Sequence, residues 1–407
     1  MSIKDKMKAG FRNVEGGLFS KVSKADVGDA FVELAKNGVT LMGWADPFTP
    51  DATIPEHIKE VMIKSLNEGT SSHYTMPIGN SELKIEIAKK LKKYNKIDVD
   101  PKRNILITPG SDIGLFYSMM PFIEQGDEVM VPDPSYPNNF LDPELMGGVT
   151  VRIPLYEKDN YQPKIEEFEK RLTDRTKLVL LTNPNNPTST VFRRENLEKL
   201  ANFIIENDLI LVVDQAFEDC IFDNIEYVSM CSLPGMWERT VTVFSVSKGM
   251  ALSGFRVGYI VANDQMMDVF YGSAVNVLGA ANTVAQIGTI EAFKDSSFME
   301  EYNKIHDRRR KFVYELFKST PGVSILKPES SFISWLNVSK LGDSSDICDY
   351  LIKEAKVAVN DGKAYGKEGE GHIRVVHGCL KNDEDAFDAL RRMNEAFIKL
   401  ANKKGIK

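Results

Sequence analysis

The sequence predicts an α/β protein whose mostly parallel sheet is covered by helices on both faces. Residues 178–181 and 209–213 are continuous apolar runs of strand length without polar alternation, which is typical of strands buried on both sides. Amphipathic stretches such as residues 195–207 carry an apolar stripe at helical spacing between such runs. The 407 residues exceed one ordinary core, so we expect two domains.

The composition is that of a soluble globular protein without a polyanionic partner. Hydrophobic residues make up 43% of the chain, charged residues 27%, and the formal net charge is −7. This charge disfavours nucleic acid and anionic membranes as partners, because both demand a concentrated basic surface. Residues 1–10 lack the apolar core of a signal peptide, and no apolar run approaches membrane-spanning length. We therefore expect a cytoplasmic protein with no membrane association.

The cysteines show no spacing that indicates a cross-link or a metal site. Only four occur, without Cys-x-x-Cys spacing: Cys220, Cys231, Cys348 and Cys379. The sequence therefore predicts neither a disulfide framework nor a zinc site.

Lys248 is the residue around which the predicted chemistry is organised. It follows the β-branched apolar run 241–244 and precedes a turn with Gly and Ser, so its amine should lie where a buried strand ends. Ser245 and Ser247 supply hydroxyls beside it, and Arg256 supplies a flat guanidinium that suits a phosphate. An amine condenses with an aldehyde to a Schiff base, so this set suits a phosphorylated aldehyde such as pyridoxal phosphate.

Two motifs resemble those of fold-type-I pyridoxal-phosphate enzymes, the class I/II aminotransferases in particular. Residues 245–259 match the family's Ser-x-Ser-Lys motif, with Arg eight residues after the lysine, and residues 183–188 match its Asn-Pro-Thr-Gly motif with Ser189 replacing glycine. The resemblance implies an aspartate-aminotransferase-like fold with a seven-stranded-type sheet in a large domain and a smaller α/β domain from both termini. The implied divisions are an N-terminal arm and part of the small domain over 1–48, the cofactor-binding domain over 49–295, and the small C-terminal domain over 296–407.

Residues 104–116 predict a buried strand, a turn and the start of a helix. Backbone N–H groups and the positive dipole end make such a helix start a ready anion site. Gly110, Ser111 and Asp112 are therefore expected to hold the cofactor phosphate, together with Ser245 and Arg256.

Three further residues match the family's contacts to the cofactor ring. Tyr136 follows a predicted strand at the position of the stacked aromatic ring, and Asn186 is expected to donate to the ring oxygen O3′. Asp214 ends a buried strand and needs a cationic partner, which in the family is the protonated pyridine nitrogen. Phe217 departs from the pattern, because the family commonly has a tyrosine there that donates a second hydrogen bond to O3′.

The resemblance also implies contacts to the substrate. Arg374, inside a predicted strand, matches the arginine that binds the substrate α-carboxylate bidentately. Asn186 is expected to touch the same carboxylate, and Gly43 to offer its backbone to it. Trp44 and Ala45 depart from the family pattern, and the tryptophan either shapes an apolar substrate pocket or packs between domains.

Tyr74 begins a segment similar to the family's Tyr-x-x-x-x-Gly element, whose tyrosine reaches the cofactor phosphate of the neighbouring subunit. The resemblance therefore implies a homodimer with shared active sites. The alternative is a turn tyrosine in front of the helix predicted over 81–94.

The matches run in family order from Gly43 to Arg374 and together imply transamination between an L-amino acid and a 2-oxo acid. A pyridoxal-phosphate-dependent β-eliminating lyase or decarboxylase is the alternative, because substrate orientation selects the bond that breaks. A non-enzymatic regulator that only binds the cofactor would need a DNA-binding domain, for which the N-terminal arm is too short.

Overall fold

The computed structural model describes residues 6–8, 11, 33–49 and 54–407. Much of the predicted N-terminal arm lies outside these ranges. Residues 33–36 are helical and stop before Gly38, whose φ of +72° favours glycine. The longer helices are α1 Glu56–Glu68, α2 Ser81–Lys90, α3 Ser111–Met119, α4 Pro137–Met146, α5 Ile165–Glu169, α6 Arg194–Glu206, α7 Asp264–Val277, α8 Thr283–Lys294, α9 Phe298–Phe317, α10 Ser344–Glu354 and α11 Asp383–Lys403.

The strands form one large sheet and smaller pairings. They are β1 Thr40–Leu41, β2 Ile105–Thr108, β3 Glu128–Asp133, β4 Val149–Pro154, β5 Thr176–Thr182, β6 Ile210–Asp214, β7 Thr240–Ser245, β8 Gly258–Val261, β9 Ser324–Ile325, β10 Ser334–Asn337, β11 Val357–Ala358, β12 Asn360–Asp361 and β13 His372–Val375. Seven of them form a sheet in the order β2-β8-β7-β6-β5-β3-β4. Strands β3 to β7 pair in parallel, and only β8 runs against its neighbours. The predicted mostly parallel α/β sheet is confirmed.

The apolar runs form strands because the sheet is covered on both faces. In β5, Leu178 and Leu180 enter one hydrophobic core, whereas Val179 and Leu181 enter the core on the opposite face. All four are fully buried. Since successive side chains of a strand alternate between faces, a run without polar alternation is what two apolar layers require.

The second sheet brings distant parts of the chain together. Its antiparallel order is β12-β13-β10-β9, and beside it β1 pairs in parallel with β11, Thr40 opposite Val357. Helices α9, α10 and α11 contribute side chains to one core with this sheet. The segment after β1 is therefore held by the C-terminal part of the chain, while the division into domains at residues 48 and 295 stays a prediction.

Two apolar stretches of the C-terminal part form only short strands. Residues 322–326 are paired only at Ser324–Ile325, and in residues 331–336 the strand begins at Ser334, because Ser331 has a φ of +61° that no strand accommodates. The helix predicted over 81–94 is α-helical as α2 and continues as a π-helical turn over Leu91–Asn95. Among the described residues, no helix is both long and apolar enough to cross a membrane.

Candidate active site

A cavity of about 450 Å³ opens where the parallel strands end. Because β5, β6 and β7 run in parallel, their carboxyl ends meet at one edge of the sheet, the usual ligand position in open α/β sheets. Nine of the residues that the sequence predicts as cofactor or substrate contacts line this cavity: Gly43, Ser111, Asp112, Tyr136, Asn186, Asp214, Lys248, Arg256 and Arg374. It is also lined by Trp44, Ala45, Asp46, Leu115, Ala216, Phe217, Ser247, Ser253 and Gly254.

Lys248 presents its amine to this cavity three residues after β7 ends. Its Nζ donates a hydrogen bond of 2.6 Å to the carbonyl oxygen of Ala45. Burial lowers the pKa of Lys248 to about 8, against the raising effect of Asp112. A buried lysine with this pKa has a substantial neutral fraction near physiological pH, as a nucleophile or general base requires.

The start of α3 forms an anion cradle together with Arg256. Gly110 precedes the helix with a φ of +87°, and a Cβ there would lie 2.4 Å from Nη2 of Arg256. A Cβ at Gly258 would lie 2.6 Å from the backbone nitrogen of Ser111. Glycine at both positions therefore lets the guanidinium and strand β8 approach the helix start, where free N–H groups and the helix dipole favour an anion.

The guanidinium of Arg256 is oriented by its own loop. Arg256 adopts a φ of +51°, and its Nη1 donates to the carbonyl oxygen of Ser253 at 2.9 Å and, more weakly, to Oγ of Ser247 at 3.5 Å. Nη2 lies 3.4 Å from Oδ2 of Asp112. These contacts to Ser253 and Ser247 hold the guanidinium beside the start of α3, where Asp112 lies.

Asp214 is a buried carboxylate without a cationic hydrogen-bond partner among the described residues. Its Oδ1 accepts from the backbone N–H of Ala216 at 3.0 Å, and its Oδ2 from Thr182 Oγ1 at 3.5 Å. Burial raises the pKa of Asp214 to about 6. A cation placed in the cavity opposite this carboxylate would lower its pKa again and favour its charged form.

Tyr136 and Phe217 give the cavity aromatic surface. Tyr136 lies directly before α4, its hydroxyl donates to Oδ1 of Asp112 at 3.3 Å, and burial raises its pKa. Phe217 is buried and packs edge-on against Phe332 with ring centroids 5.6 Å apart. Its ring offers no hydrogen-bond donor to this side of the cavity.

Arg374 is fully buried in β13 and points into the cavity. Its Nη1 donates to Oδ1 of Asn186 at 3.1 Å, and its Nη2 to the carbonyl oxygen of Gly43 at 2.9 Å. Asn360 accepts from both Nε at 3.2 Å and Nη2 at 2.8 Å, while the guanidinium lies 4.9 Å from the ring centre of Tyr365. All of these hydrogen-bond acceptors are neutral, so none of them compensates the positive charge of the guanidinium, which can therefore attract an anionic ligand group.

Three residues that the sequence predicts as cofactor contacts do not line the cavity: Gly110, Ser245 and Tyr74. Gly110 provides space for Arg256 without facing the cavity, and Oγ of Ser245 accepts the backbone N–H of Ser247 at 3.2 Å. Tyr74 is 99% exposed and is not part of the cavity of its own chain. The ligand roles of Ser245 and Tyr74 stay predictions.

Sequence reasoning missed Asn360 and did not assign a role to Asp46 or Ser253. Asn360 lies in the two-residue strand β12, where no periodicity or motif marks it. Asp46 lies three residues after Gly43, where the family segment Gly-Glu-Pro-Asp-Phe has its aspartate, and that match is the signal that could have drawn attention to it.

The fold and the cavity define an α/β protein in which a lysine amine, the helix start beside Arg256 and the buried guanidinium of Arg374 meet at the carboxyl ends of parallel strands. The family model for aminotransferase class I and II matches residues 39–392. The chain belongs to this family.

Individual relatives agree with this assignment. The chain is 33% identical to an aspartate aminotransferase of Pyrococcus abyssi, over 84% of this chain and 89% of that protein, and 32% identical to aromatic-amino-acid aminotransferase 2 of Thermococcus litoralis, over the same shares. The solved structure of an aromatic aminotransferase from Pyrococcus horikoshii superposes with a TM-score of 0.84 at 32% identity, covering 92% of this chain and 99% of that one. The chain is a pyridoxal-phosphate-dependent aminotransferase, and the elimination and decarboxylation alternative is not favoured.

Proposed function

We propose that Lys248 performs the chemistry of transamination between an L-amino acid and a 2-oxo acid in this cavity. One observation carries the proposal: the Lys248 amine shares a single cavity with three other charged groups. These are the guanidinium of Arg256 at the helix start, the carboxylate of Asp214, which has no cationic hydrogen-bond partner among the described residues, and the guanidinium of Arg374. These four groups match the four charged or reactive parts of a pyridoxal phosphate and an amino acid: aldehyde, phosphate, pyridinium and α-carboxylate.

The residues present fit pyridoxal phosphate. Ser111, Ser247 and Arg256, with the N–H groups at the start of α3, would hold the phosphate, because the glycines at 110 and 258 leave the cradle open to the guanidinium. Tyr136 would cover the ring, and Asp214 would pair with its nitrogen. When bound, the cofactor supplies an aldehyde for the amine and an electron sink for the substrate's Cα.

Lys248 would move the proton that transamination requires. Its amine would take up the proton from the substrate's Cα and release it again during amino transfer, while the bound cofactor would supply the electron sink. The lowered pKa suits both steps, since a base and an acid of pKa near 8 can exchange roles near neutral pH. The carbonyl of Ala45, at 2.6 Å, would hold the amine in the cavity between the two transfers.

Arg374 would bind the substrate's α-carboxylate and so fix which Cα bond faces the base. Its partners Asn360, Asn186 and Gly43 orient the guanidinium before a substrate arrives. The side-chain nitrogen of Asn186 is left to donate, to the cofactor oxygen O3′ or to the same carboxylate. Pre-orientation of this kind lowers the entropic cost of reaching the reactive geometry.

Borohydride reduction of the holoenzyme followed by peptide mapping tests the assignment of the lysine. The reduced cofactor is expected on the peptide that contains Lys248. A matched control is Lys84, which is also buried with a pKa lowered to about 8 but bonds to Tyr271 Oη at 2.9 Å outside the cavity. Label on Lys84 or on any lysine other than Lys248 would remove Lys248 from its role.

A homodimer with shared active sites completes the proposal. The support is the exposed Tyr74, which its own cavity does not use, in the segment similar to the family's phosphate-binding element. Mixing Lys248→Ala with Tyr74→Phe protein should create hybrid dimers with one unaltered site, and activity above that of either parent is expected. A mixture no more active than its parents, after subunit exchange has been demonstrated, would count against sharing. Cytoplasmic location and the domain division at residues 48 and 295 belong to the same proposal.

A further inference from the structure

The carboxylate of Asp214 contacts a buried threonine to which the proposed reaction gives no task. Thr182 ends β5, Asp214 ends β6, and the parallel register pairs the two residues. On the same face of β5, the preceding side chains Leu178 and Leu180 are apolar and fully buried. Thr182 is itself only 1% exposed, so its hydroxyl needs defined hydrogen-bond partners.

Asn139, near the start of α4, fixes the direction of the Thr182 hydroxyl. Nδ2 of Asn139 donates to Oγ1 of Thr182 at 2.7 Å and to Oγ of Ser135 at 2.9 Å, so both of its N–H groups are used. Because Oγ1 of Thr182 accepts this bond, its single proton is left to donate to another group. That group is Oδ2 of Asp214, at 3.5 Å.

These contacts are made within one chain. Ser135, Asn139 and Thr182 are each at most 1% exposed, so a second subunit cannot contact them. None of the three lines the cavity. The carboxylate of Asp214 accepts its other hydrogen bond from the backbone N–H of Ala216, which a side-chain substitution leaves in place. Thr182 is therefore the side chain through which the protein can adjust this carboxylate from behind the cavity.

The ionisable groups that act on Asp214 come from several elements. Burial is the largest effect and raises the pKa of Asp214 to about 6. Asp112, in the first turn of α3, also raises this pKa, and Lys248 lowers it, while Tyr136 and Tyr227 are neighbouring phenols. A hydrogen bond donated to the charged carboxylate opposes the effect of burial, so its loss should favour the neutral carboxyl.

We propose that Thr182 is a positioning residue of the reaction, oriented by Asn139, which helps to keep Asp214 charged for the cofactor nitrogen. The inference rests on the proposed role of Asp214 in the cavity. Asn139 acts through Thr182, and Thr182 acts through Asp214. A charged carboxylate at this place is what an ion pair with a protonated ring nitrogen requires.

Titration of Asp214 in the full-length protein without bound cofactor tests the proposal. Aspartate labelled with ¹³C in the side-chain carboxyl gives the signal, and Asp214→Asn assigns it. Thr182→Val keeps the branched shape and removes the proton, so the pKa of Asp214 should rise by about half a unit to one unit. Thr182→Ser retains the hydroxyl and should titrate like wild type.

Thr240→Val is the matched control. Thr240 begins β7 at the opposite end of the sheet, and its buried hydroxyl has no hydrogen-bond partner among the described residues. Asn139→Leu should give a smaller rise than Thr182→Val, because the hydroxyl stays but is no longer oriented. No rise in Asn139→Leu would overturn the part assigned to Asn139.

A double variant keeps the test decisive if Thr182→Val folds poorly. That single change leaves an N–H of Asn139 without its acceptor, whereas Asn139→Leu combined with Thr182→Val removes both partners and leaves no such group. The pKa of Asp214 should rise in the double variant as well. An unchanged pKa in the variants that lack the hydroxyl, or an equal rise in Thr240→Val, would overturn the proposal.

A binding measurement separates this role from a distortion of the cavity. Pyridoxamine phosphate binds without a Schiff base, and its analogue with carbon in place of the ring nitrogen cannot pair with Asp214. By calorimetry, Thr182→Val should weaken pyridoxamine phosphate by about twofold to fivefold at pH 6 and leave it unchanged at pH 8.5, where Asp214 is charged in both proteins. The analogue should not be weakened.

Equal weakening of pyridoxamine phosphate and the analogue would mean that Thr182 only shapes the cavity, which would overturn the proposal. The same conclusion would follow from a loss that is independent of pH. If no amino acid reacts with the holoenzyme, transamination fails, yet the titration of Asp214 still decides the role of Thr182. The failure of the inference and the failure of the proposed function are therefore distinguishable.

Discussion

Two buried carboxylates lie near the end of β6, each with a lysine close by: Asp214 with Lys248, and Glu218 with Lys90. The two sets differ in whether the carboxylate forms an ion pair with its lysine. In the cavity, Asp214 and Lys248 each hydrogen-bond to neutral groups alone. Four residues after Asp214, the buried Glu218 forms an ion pair with Lys90. It also accepts from the amides of Asn95 at 2.5 Å and Gln215 at 2.8 Å.

The difference distinguishes a set of buried groups that needs no ligand from one that a ligand would complete. Buried polar groups that pair fully with one another stabilise a single packing, whereas unpaired ones cost stability and persist where a ligand completes them. The Glu218 set is complete without a ligand. The Asp214 and Lys248 set is left incomplete by the fold, and a pyridinium and an aldehyde would complete it. Substitutions in the first set should therefore affect stability, and substitutions in the second should affect chemistry.

The largest expected effect is on chemistry, from Lys248→Ala. Loss of the amine should lower the rate of amino transfer by at least about 10²–10⁴-fold, the range for a general acid–base group, while the melting temperature stays close to that of wild type. Single-turnover kinetics and thermal unfolding followed by circular dichroism measure the two quantities. A variant that is unfolded, or one that still turns over at the wild-type rate, would break the comparison.

The reciprocal change is Lys90→Met. It leaves Glu218 buried without its cation, so the free energy of unfolding should fall by about 3–5 kcal/mol, while amino transfer by the folded fraction changes far less than in Lys248→Ala. Urea unfolding monitored at several pH values provides the measurement.

The pH dependence of that loss has a defined sign. Burial already raises the pKa of Glu218 in the folded protein against the lowering effect of Lys90, and removal of the ammonium raises it further. A folded-state pKa above the unfolded value means that the folded state binds the proton more tightly, so the deficit should be largest above the folded pKa and shrink as the pH falls through it. A deficit that grows on acidification would contradict this account.

Arg374→Lys should have an intermediate effect. An ammonium cannot reproduce the two parallel bonds of the guanidinium, and each lost charge-assisted bond costs about 1.5–3 kcal/mol, which corresponds to about tenfold to a hundredfold in kcat/KM for amino donors. Cofactor binding, measured by absorbance titration, should be retained. Unchanged kinetics for every donor would remove Arg374 from the carboxylate site.

The fold could be predicted because its signals are local. The β5 and β6 runs carry the two-sided burial in their own sequence, and Arg256 and Asn186 stand in motifs of fixed spacing. Asn360 could not be found in this way, since its importance is created by the pairing of β12 with β13, which places it opposite Arg374. The two serines before Lys248 could not be told apart from the sequence either. Their spacing predicts that both hydroxyls lie beside the lysine, but in the structure Ser245 accepts a backbone hydrogen bond, whereas Ser247 lines the cavity.

The smallest expected effect comes from Phe217→Tyr. A hydroxyl added at this edge of the cavity could donate to the cofactor oxygen O3′ beside Asn186, and a bond of about 0.5–1.5 kcal/mol shifts a pKa by about one unit or less. The donor stabilises the deprotonated form, so the bound cofactor should change its visible absorption at a lower pH than in wild type. A spectrophotometric titration that shows the same pH, or a higher one, would mean that Phe217 does not face O3′.

The pairing of β1 with β11 has a consequence for how the cavity is assembled during synthesis. Thr40 meets Val357 only after nearly the whole chain has emerged, whereas the cradle, Asp214 and Lys248 lie on strands of one sheet that are close in sequence. Contacts between distant segments form late, because closing a long loop carries a larger entropic cost. We expect a nascent chain to bring Ser111, Asp214 and Lys248 together first, and to add Gly43 and Ala45 to the lining of the cavity at the last folding step.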